Sequence, residues 1–185
     1  LEQPYNSDLD FGTGDFSVMA WVKVNTHNQG YFWDFAKESN KENLLFTNAT
    51  GQLVLWTRNG VNPNYSNFYT NETVTVGVWT HVVGTRIGGQ MAIYQNGVKS
   101  TMYQERIYPT GGTDLSLTSS ATSIVGPSSF AGSLALVRVS ATVPNAEQIK
   151  DIYEAEKPLF QENAQATLNG SSDAVTALAY DDSTE

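Results

Sequence analysis

Hydrophobic and polar residues alternate in short runs along the chain, and clusters of Gly, Asn, Ser or Thr separate the runs. Nine runs carry this pattern: 15–24, 30–37, 43–49, 52–58, 73–77, 79–87, 90–96, 113–118 and 132–140. Successive side chains on a strand point to opposite faces, so a period of two predicts strands. Nine such strands divided by turn signals predict a β-sandwich or barrel. In 15–24, "DFSVMAWVKV", Phe16, Val18, Ala20, Val22 and Val24 share one face, while Met19 and Trp21 add apolar bulk to the other. A strand apolar on both faces is predicted to lie centrally, covered from both sides.

The stretch "VWTHVVGTRIGGQMAIYQNGVK" (78–99) holds one of the two histidines, His81. Trp79, His81 and Val83 alternate with Thr80, Val82 and Gly84, and Gly88-Gly89 leads into a second run, 90–96. This is the pattern of a hairpin, and the exit Asn96-Gly97 is the preferred pair for a type I′ turn. No helix follows Gly88-Gly89 that could hold a phosphate at its N-terminus, and His81 has no evident nucleophile or carboxylate partner. The expectation for His81 is a strand residue, not a catalytic base. One helix is predicted. Asn145 and Gln148 form a capping box, Ile149, Ile152, Tyr153 and Glu156 follow at helical spacing, and Pro158 stops the run. Its apolar stripe is expected to pack on the sandwich.

Composition narrows the function. The chain has 185 residues, about one domain's length, with 10 basic and 19 acidic side chains and a net charge of -9. That charge repels phosphate backbones and anionic bilayers, so nucleic-acid binding is disfavoured, and no apolar run is long enough for membrane insertion. The charge is uneven: 1–144 carries -2 and 145–185 carries -7. Without cysteine there is no disulfide and no thiolate chemistry. The chain opens on Leu1 and is read as a piece of something longer.

Candidate chemistry gathers in the predicted connection "TRNGVNPNYSNFYTNE" (57–72), rich in Asn and Tyr. Sugars are gripped by aromatic faces and by amide or hydroxyl hydrogen bonds, often from loops on a rigid sandwich. Trp56, Arg58, Tyr65, Tyr69 and Asn71, with Tyr103 from a second loop, are therefore the carbohydrate-binding candidates. In "KESNKEN" (37–43), Glu38, Asn40, Glu42 and Asn43 offer the oxygen ligands that calcium takes, although a charged hairpin turn explains the same residues better. No cofactor is required. Asp8 and Asp10, or Glu38 and Glu42, are carboxylate pairs by sequence, best read as solvated loop charges. Asn48, Asn71 and Asn169 head Asn-x-Ser/Thr triplets that could accept glycans in a secretory pathway.

Three blocks, "LDFGTGDFSVMAWVKV" (9–24), "WTHVVGTRIGGQMAIYQNG" (79–97) and "FAGSLALVRVSATVPNAEQIKDIYEAEK" (130–157), resemble the laminin-G-like, concanavalin A-like jelly rolls that include the pentraxins. The resemblance implies an all-β, two-sheet antiparallel jelly-roll sandwich with one short C-terminal helix. It also implies adhesion through carbohydrate or protein, often with calcium. This chain departs from the pattern at Ala135 and Leu136, where many members have an Asp-Glu pair, which weakens a carried-over calcium site. It also lacks the Glu-x-Asp-x-Glu signature of the superfamily's glycoside hydrolases, whose paired carboxylates do the chemistry. The expectation is a module that is not an enzyme.

After Pro158 the sequence becomes acidic and polar, with one further strand-like run, 174–180. The organisation expected is a jelly-roll domain over 1–157 and an acidic linker, or the start of a following β domain, over 158–185. The run from Leu168 onward resembles junctions in tail-fibre or structural proteins of marine bacteriophages. These readings together imply a recognition module of a larger extracellular or virion-surface protein, whose partner is a surface glycan or a protein receptor. The alternative is an assembly module that packs as a homo-oligomer or against adjoining domains through 158–185.

Overall fold

The computed structural model describes residues 2–3, 11, 14–38, 41–59, 65–106, 123–125 and 130–161. Twelve described strands are β1 (Glu2–Gln3), β2 (Phe16–Val24), β3 (Gly30–Glu38), β4 (Lys41–Thr47), β5 (Gln52–Asn59), β6 (Tyr65–Thr73), β7 (Trp79–Ile87), β8 (Gln90–Gln95), β9 (Val98–Lys99), β10 (Met102–Arg106), β11 (Ser123–Val125) and β12 (Gly132–Ser140). They form a seven-stranded sheet in the order β1-β11-β3-β4-β5-β6-β10 and a five-stranded sheet in the order β12-β2-β7-β8-β9. Every pairing is antiparallel. This is the predicted two-sheet jelly roll.

Between the sheets, Phe16, Val18, Ala20, Val22 and Val24 of β2 meet Trp33, Leu45, Leu53 and Leu55 of the opposite sheet, all buried. The other face of β2 is sealed too. Met19 joins Val83, Ala92 and Tyr94 in a second cluster closed by Ile149, which is fully buried. Ile149 comes from the helix α1 (Ala146–Glu156), whose Asn145 side chain accepts from Gln148 N–H while the Gln148 side chain accepts from Asn145 N–H, both at 2.9 Å. The predicted capping box is therefore formed. Pro158 does not end the packing, because a 3₁₀ turn (Lys157–Phe160) follows α1 directly.

Both hairpin expectations hold. Gly88 and Gly89 take φ of 54° and 79°, and Asn96 and Gly97 take 51° and 77°, the left-handed pair a type I′ turn needs. Gly97 has a second constraint, since a Cβ there would sit 3.0 Å from the Tyr153 ring and 3.2 Å from Lys150 Cα. The turn packs directly on α1.

Two expectations fail along 57–78. The predicted connection 57–72 is mostly strand: β5 runs to Asn59 and β6 begins at Tyr65. Its period of two is hidden because the inward position after Phe68 is Thr70, a polar residue. Thr70 is buried because its hydroxyl accepts from Leu53 N–H at 3.0 Å and donates to Glu72 O at 2.7 Å. The predicted strand 73–77 is instead the end of β6 and a turn. Val74 is buried, Val76 and Val78 are exposed, and Gly77, at φ 77°, donates its N–H to Val24 O. The alternation of Thr and Val there imitates a strand while the chain crosses from one sheet to the other. The predicted runs 113–118 and 174–180 lie outside the described residues.

Candidate functional site

The two sheets present very different outer faces. Over the five-stranded sheet, Trp21 stacks on Phe160 (ring centroids 4.2 Å) and Tyr153 (5.7 Å), and Trp79 meets Phe160 at 4.9 Å. Trp21 Nε1–H donates to Glu156 at 2.8 Å, and Arg138 forms an ion pair with the same carboxylate. His81 lies inside this cluster, 1% exposed, 5.3 Å from Trp21 and 6.1 Å from Tyr153, with neither ring nitrogen hydrogen-bonded. Burial pushes its pKa down to about 4; Glu156 opposes the shift and Arg138 adds to it. A neutral imidazole without a hydrogen-bond partner relays no proton, as expected of a strand residue.

The outer face of the seven-stranded sheet has no helix over it among the described residues, yet Phe46 (3% exposed) and Val54 (0%) at its centre are buried with Tyr31, Trp56 and Tyr69 packed against them. The open part of this face is its β10 edge. Register places Tyr31 opposite Phe46, Phe46 opposite Val54, Val54 opposite Tyr69, and Tyr69 opposite Tyr103. One row of positions therefore crosses β3, β4, β5, β6 and β10, about 4.8 Å apart from strand to strand. Tyr69 and Tyr103 stack with centroids 5.3 Å apart and planes within 10°, and Phe46 contacts Tyr31 at 5.1 Å and Trp56 at 6.3 Å. Tyr103 is on the edge strand and 45% exposed, so one of its ring faces rests on Tyr69 and the other is turned outward.

Polar groups flank this pair. Asn67 Nδ2 donates to the Tyr69 hydroxyl at 3.2 Å. Asn71 donates to the Thr101 hydroxyl at 3.0 Å, which in turn donates to Glu72 at 2.8 Å. These bonds fix the orientation of an exposed amide and hydroxyl beside the open ring.

All six carbohydrate candidates thus lie on the adjacent strands β5, β6 and β10. Tyr69, Asn71 and Tyr103 converge, Trp56 sits two residues along β5 from Val54 against Phe46, and Arg58 is in register with Tyr65 at the far end. The side chains of Arg58 and Tyr65 lie outside the described set. The sequence reading missed Tyr31, Phe46, Asn67 and Thr101. An alternation read through Phe68 would have put Asn67 on one face with Tyr65, Tyr69 and Asn71. Asn48 anchors a turn: its side chain accepts from Thr50 and Gln52 N–H and donates to Gln52.

The calcium candidates bracket the connection between β3 and β4. Glu38 ends β3 in register with Lys41, and Glu42 and Asn43 are in β4, opposite Arg58 and Thr57, while Asn40 lies outside the described residues. Ala135 and Leu136 occupy a bulge in β12, with Leu136 at φ 49°. Neither can ligate a cation through its side chain, and no group of three or more acidic or histidine side chains is assembled among the described residues. At Ala135 and Leu136 the chain therefore offers calcium no side-chain oxygen.

Similar solved structures share the fold. A heptameric SAP-like pentraxin from Limulus polyphemus is 19% identical, with a TM-score of 0.54 over 75% of this chain and 69% of its own. Domain 4 of a GH43 extracellular arabinanase from Geobacillus stearothermophilus, in complex with arabinotriose, is 21% identical, with a TM-score of 0.55 over 76% of this chain and 66% of its own. A structure of botulinum neurotoxin type C, whose cell entry depends on interaction with two ganglioside molecules, is 13% identical, with a TM-score of 0.55 over 77% of this chain and 36% of its own. No curated protein matches the chain in sequence. The family match runs over residues 4–150, and with the jelly roll described above it establishes that the chain belongs to a laminin-G family of the concanavalin A-like lectin/glucanases superfamily.

Proposed function

We propose that this chain is a non-catalytic recognition module of a larger extracellular or virion-surface protein, and that it binds surface carbohydrate at the exposed β10 edge of its seven-stranded sheet's outer face. The observation that carries this reading is the Tyr69–Tyr103 stack, with one ring face turned outward beside the tethered side chains of Asn71 and Thr101. A sugar ring has an apolar C–H face and a rim of hydroxyls, so an aromatic plane flanked by amide and hydroxyl groups matches it. A relative of the same fold holds arabinotriose and another engages gangliosides, which supports the same ligand class here. Hydrolysis needs paired carboxylates at set spacing, and the chain lacks the superfamily's Glu-x-Asp-x-Glu pattern.

The test is a screen of the purified chain on immobilised glycans. Binding of a restricted set, competed away by the free sugar, is the expected result. No binding to any glycan, together with a mass in solution that is a multiple of the chain's own, would replace recognition with assembly.

A further inference from the structure

A second polar feature lies around the rim from Tyr103. Where β6 ends, Glu72 faces the β8–β9 hairpin, and together with Gln95, Asn96, Val98, Lys99 and Ser100 it lines a cleft of about 210 Å³. The cleft sits on the seam between the sheets, because Glu72 lies at the end of a strand of one and the hairpin belongs to the other. That volume holds several waters, so it admits a small polar group.

Its walls are chemically specific. Glu72 is held in place by Thr101, whose hydroxyl and N–H donate to it at 2.8 and 3.3 Å, and by the Ser100 hydroxyl. Burial raises the Glu72 pKa, but the hydrogen bonds together outweigh it and leave the carboxyl below its ordinary value. Gln95 commits its Nε2–H to Thr73 O at 3.3 Å, which fixes the amide, and its Oε1 is buried with no donor among the described residues. An acceptor buried without a donor is costly, so a group bound in the cleft that reaches Oε1 relieves that cost. Lys99 supplies a donor on the opposite wall without an ion pair to Glu72, and Val98, 68% exposed, supplies an apolar patch.

Two fixed acceptors, one mobile donor and one apolar patch are complementary to a single hydroxyl-rich ring. Its hydroxyls would donate to Glu72 and Gln95, a ring or hydroxyl oxygen would accept from Lys99, and its C–H face would rest on Val98. The cleft also lies close to the open face, since Ser100 and Tyr103 are three residues apart on extended chain, about 10 Å. We infer that this cleft is a second saccharide subsite, taking one ring of the glycan whose neighbouring unit stacks on Tyr103. This inference rests on the carbohydrate reading above.

The experiment is an NMR titration of the isotopically labelled full chain with D-glucose, D-galactose, L-arabinose and N-acetyl-D-glucosamine. Parallel titrations use glycine, as a zwitterion, and calcium chloride. The expected result is that at least one sugar shifts the Gln95 side-chain amide and the backbone amides of Lys99 and Ser100. Glu72→Gln and Gln95→Leu should each weaken that response at least tenfold, as expected for loss of a hydrogen bond to a charged group or a buried acceptor. The exposed change Lys99→Met, which touches no core contact, provides a variant whose folding is not in question and should weaken the same response.

Shifts confined to Tyr103 and Asn71 would overturn the cleft and leave the open face standing. Shifts at the cleft alone would support the subsite and contradict the open face. Cleft shifts with glycine or calcium but with no sugar would overturn the saccharide assignment, and silence with every sugar would overturn both readings.

Discussion

The two outer faces of this sandwich are both rich in aromatic residues, and they use them in opposite ways. On the five-stranded sheet, Trp21, Trp79, Tyr153 and Phe160 close over one another and over His81, with α1 and the 3₁₀ turn on top. At the β10 edge of the seven-stranded sheet, Tyr69 packs against Phe46 and Val54 and stacks on Tyr103, and Tyr103 keeps a ring face in solvent beside fixed polar groups. Aromatic content alone therefore does not mark a binding face. What separates the two, among the described residues, is that a helix and a 3₁₀ turn supply the second surface on one face and no helix does so on the other.

If that contrast is right, substitutions on the covered face should cost stability and those on the open face should cost binding. Trp21→Ala removes the ring that Phe160, Tyr153 and His81 all contact and leaves Glu156 short of a donor. A loss of about 3–5 kcal/mol is expected in urea or guanidinium unfolding, as for other buried Trp truncations. A loss below about 1 kcal/mol would mean that α1 does not seal this face.

Acid should act on the same face. The His81 pKa is about 4 when folded and near 6.5 when unfolded, so between those values the unfolded chain binds the extra proton. The stability that neutral His81 contributes is fully present above pH 6.5 and is lost as pH falls toward 4, at up to about 1.4 kcal/mol per pH unit. The anionic Glu156 opposes this pKa shift and the cationic Arg138 adds to it. Unfolding midpoints at pH 7 and pH 5 should differ clearly in the native chain and much less in His81→Phe. An equal drop in both would place the sensitivity elsewhere.

Smaller still is the cap. Asn145→Ala breaks both halves of the capping box and should cost about 1 kcal/mol, read as an earlier denaturation midpoint with an unchanged slope. At the bottom of the scale, Tyr103→Ala should change stability by less than about 1 kcal/mol, because the ring is half-exposed on an edge strand. The same substitution should weaken glycan binding about tenfold or more, as for loss of an exposed aromatic anchor.

Much of this contrast could be read in the sequence. The two-faced apolar pattern of β2 predicted a strand covered twice, and Asn145, Gln148 and the Ile149 stripe predicted the element that covers it. Local chemistry decides those features, through caps, alternation and paired φ > 0 turn residues. The open face was legible in its residues but not in its geometry. Trp56, Tyr69, Asn71 and Tyr103 stood out by type, yet β6 was read as a loop because Thr70 fills an inward position where the pattern demands an apolar residue. Only a cross-strand hydrogen bond makes that burial tolerable, and such a bond depends on register. Register is also what brings Tyr103 opposite Tyr69, Phe46 opposite Val54 and Glu72 up to the β8–β9 hairpin, and these are non-local pairings that no window of sequence contains.

The most direct test of the division between the two faces is the affinity of Tyr103→Ala, relative to the native chain, for the tightest glycan found on the immobilised panel, measured by calorimetry at pH 7. A loss of about tenfold or more, with an unfolding midpoint close to native, is the result this structure predicts. Unchanged affinity in a folded Tyr103→Ala protein would contradict it and would move recognition away from the open face of the seven-stranded sheet.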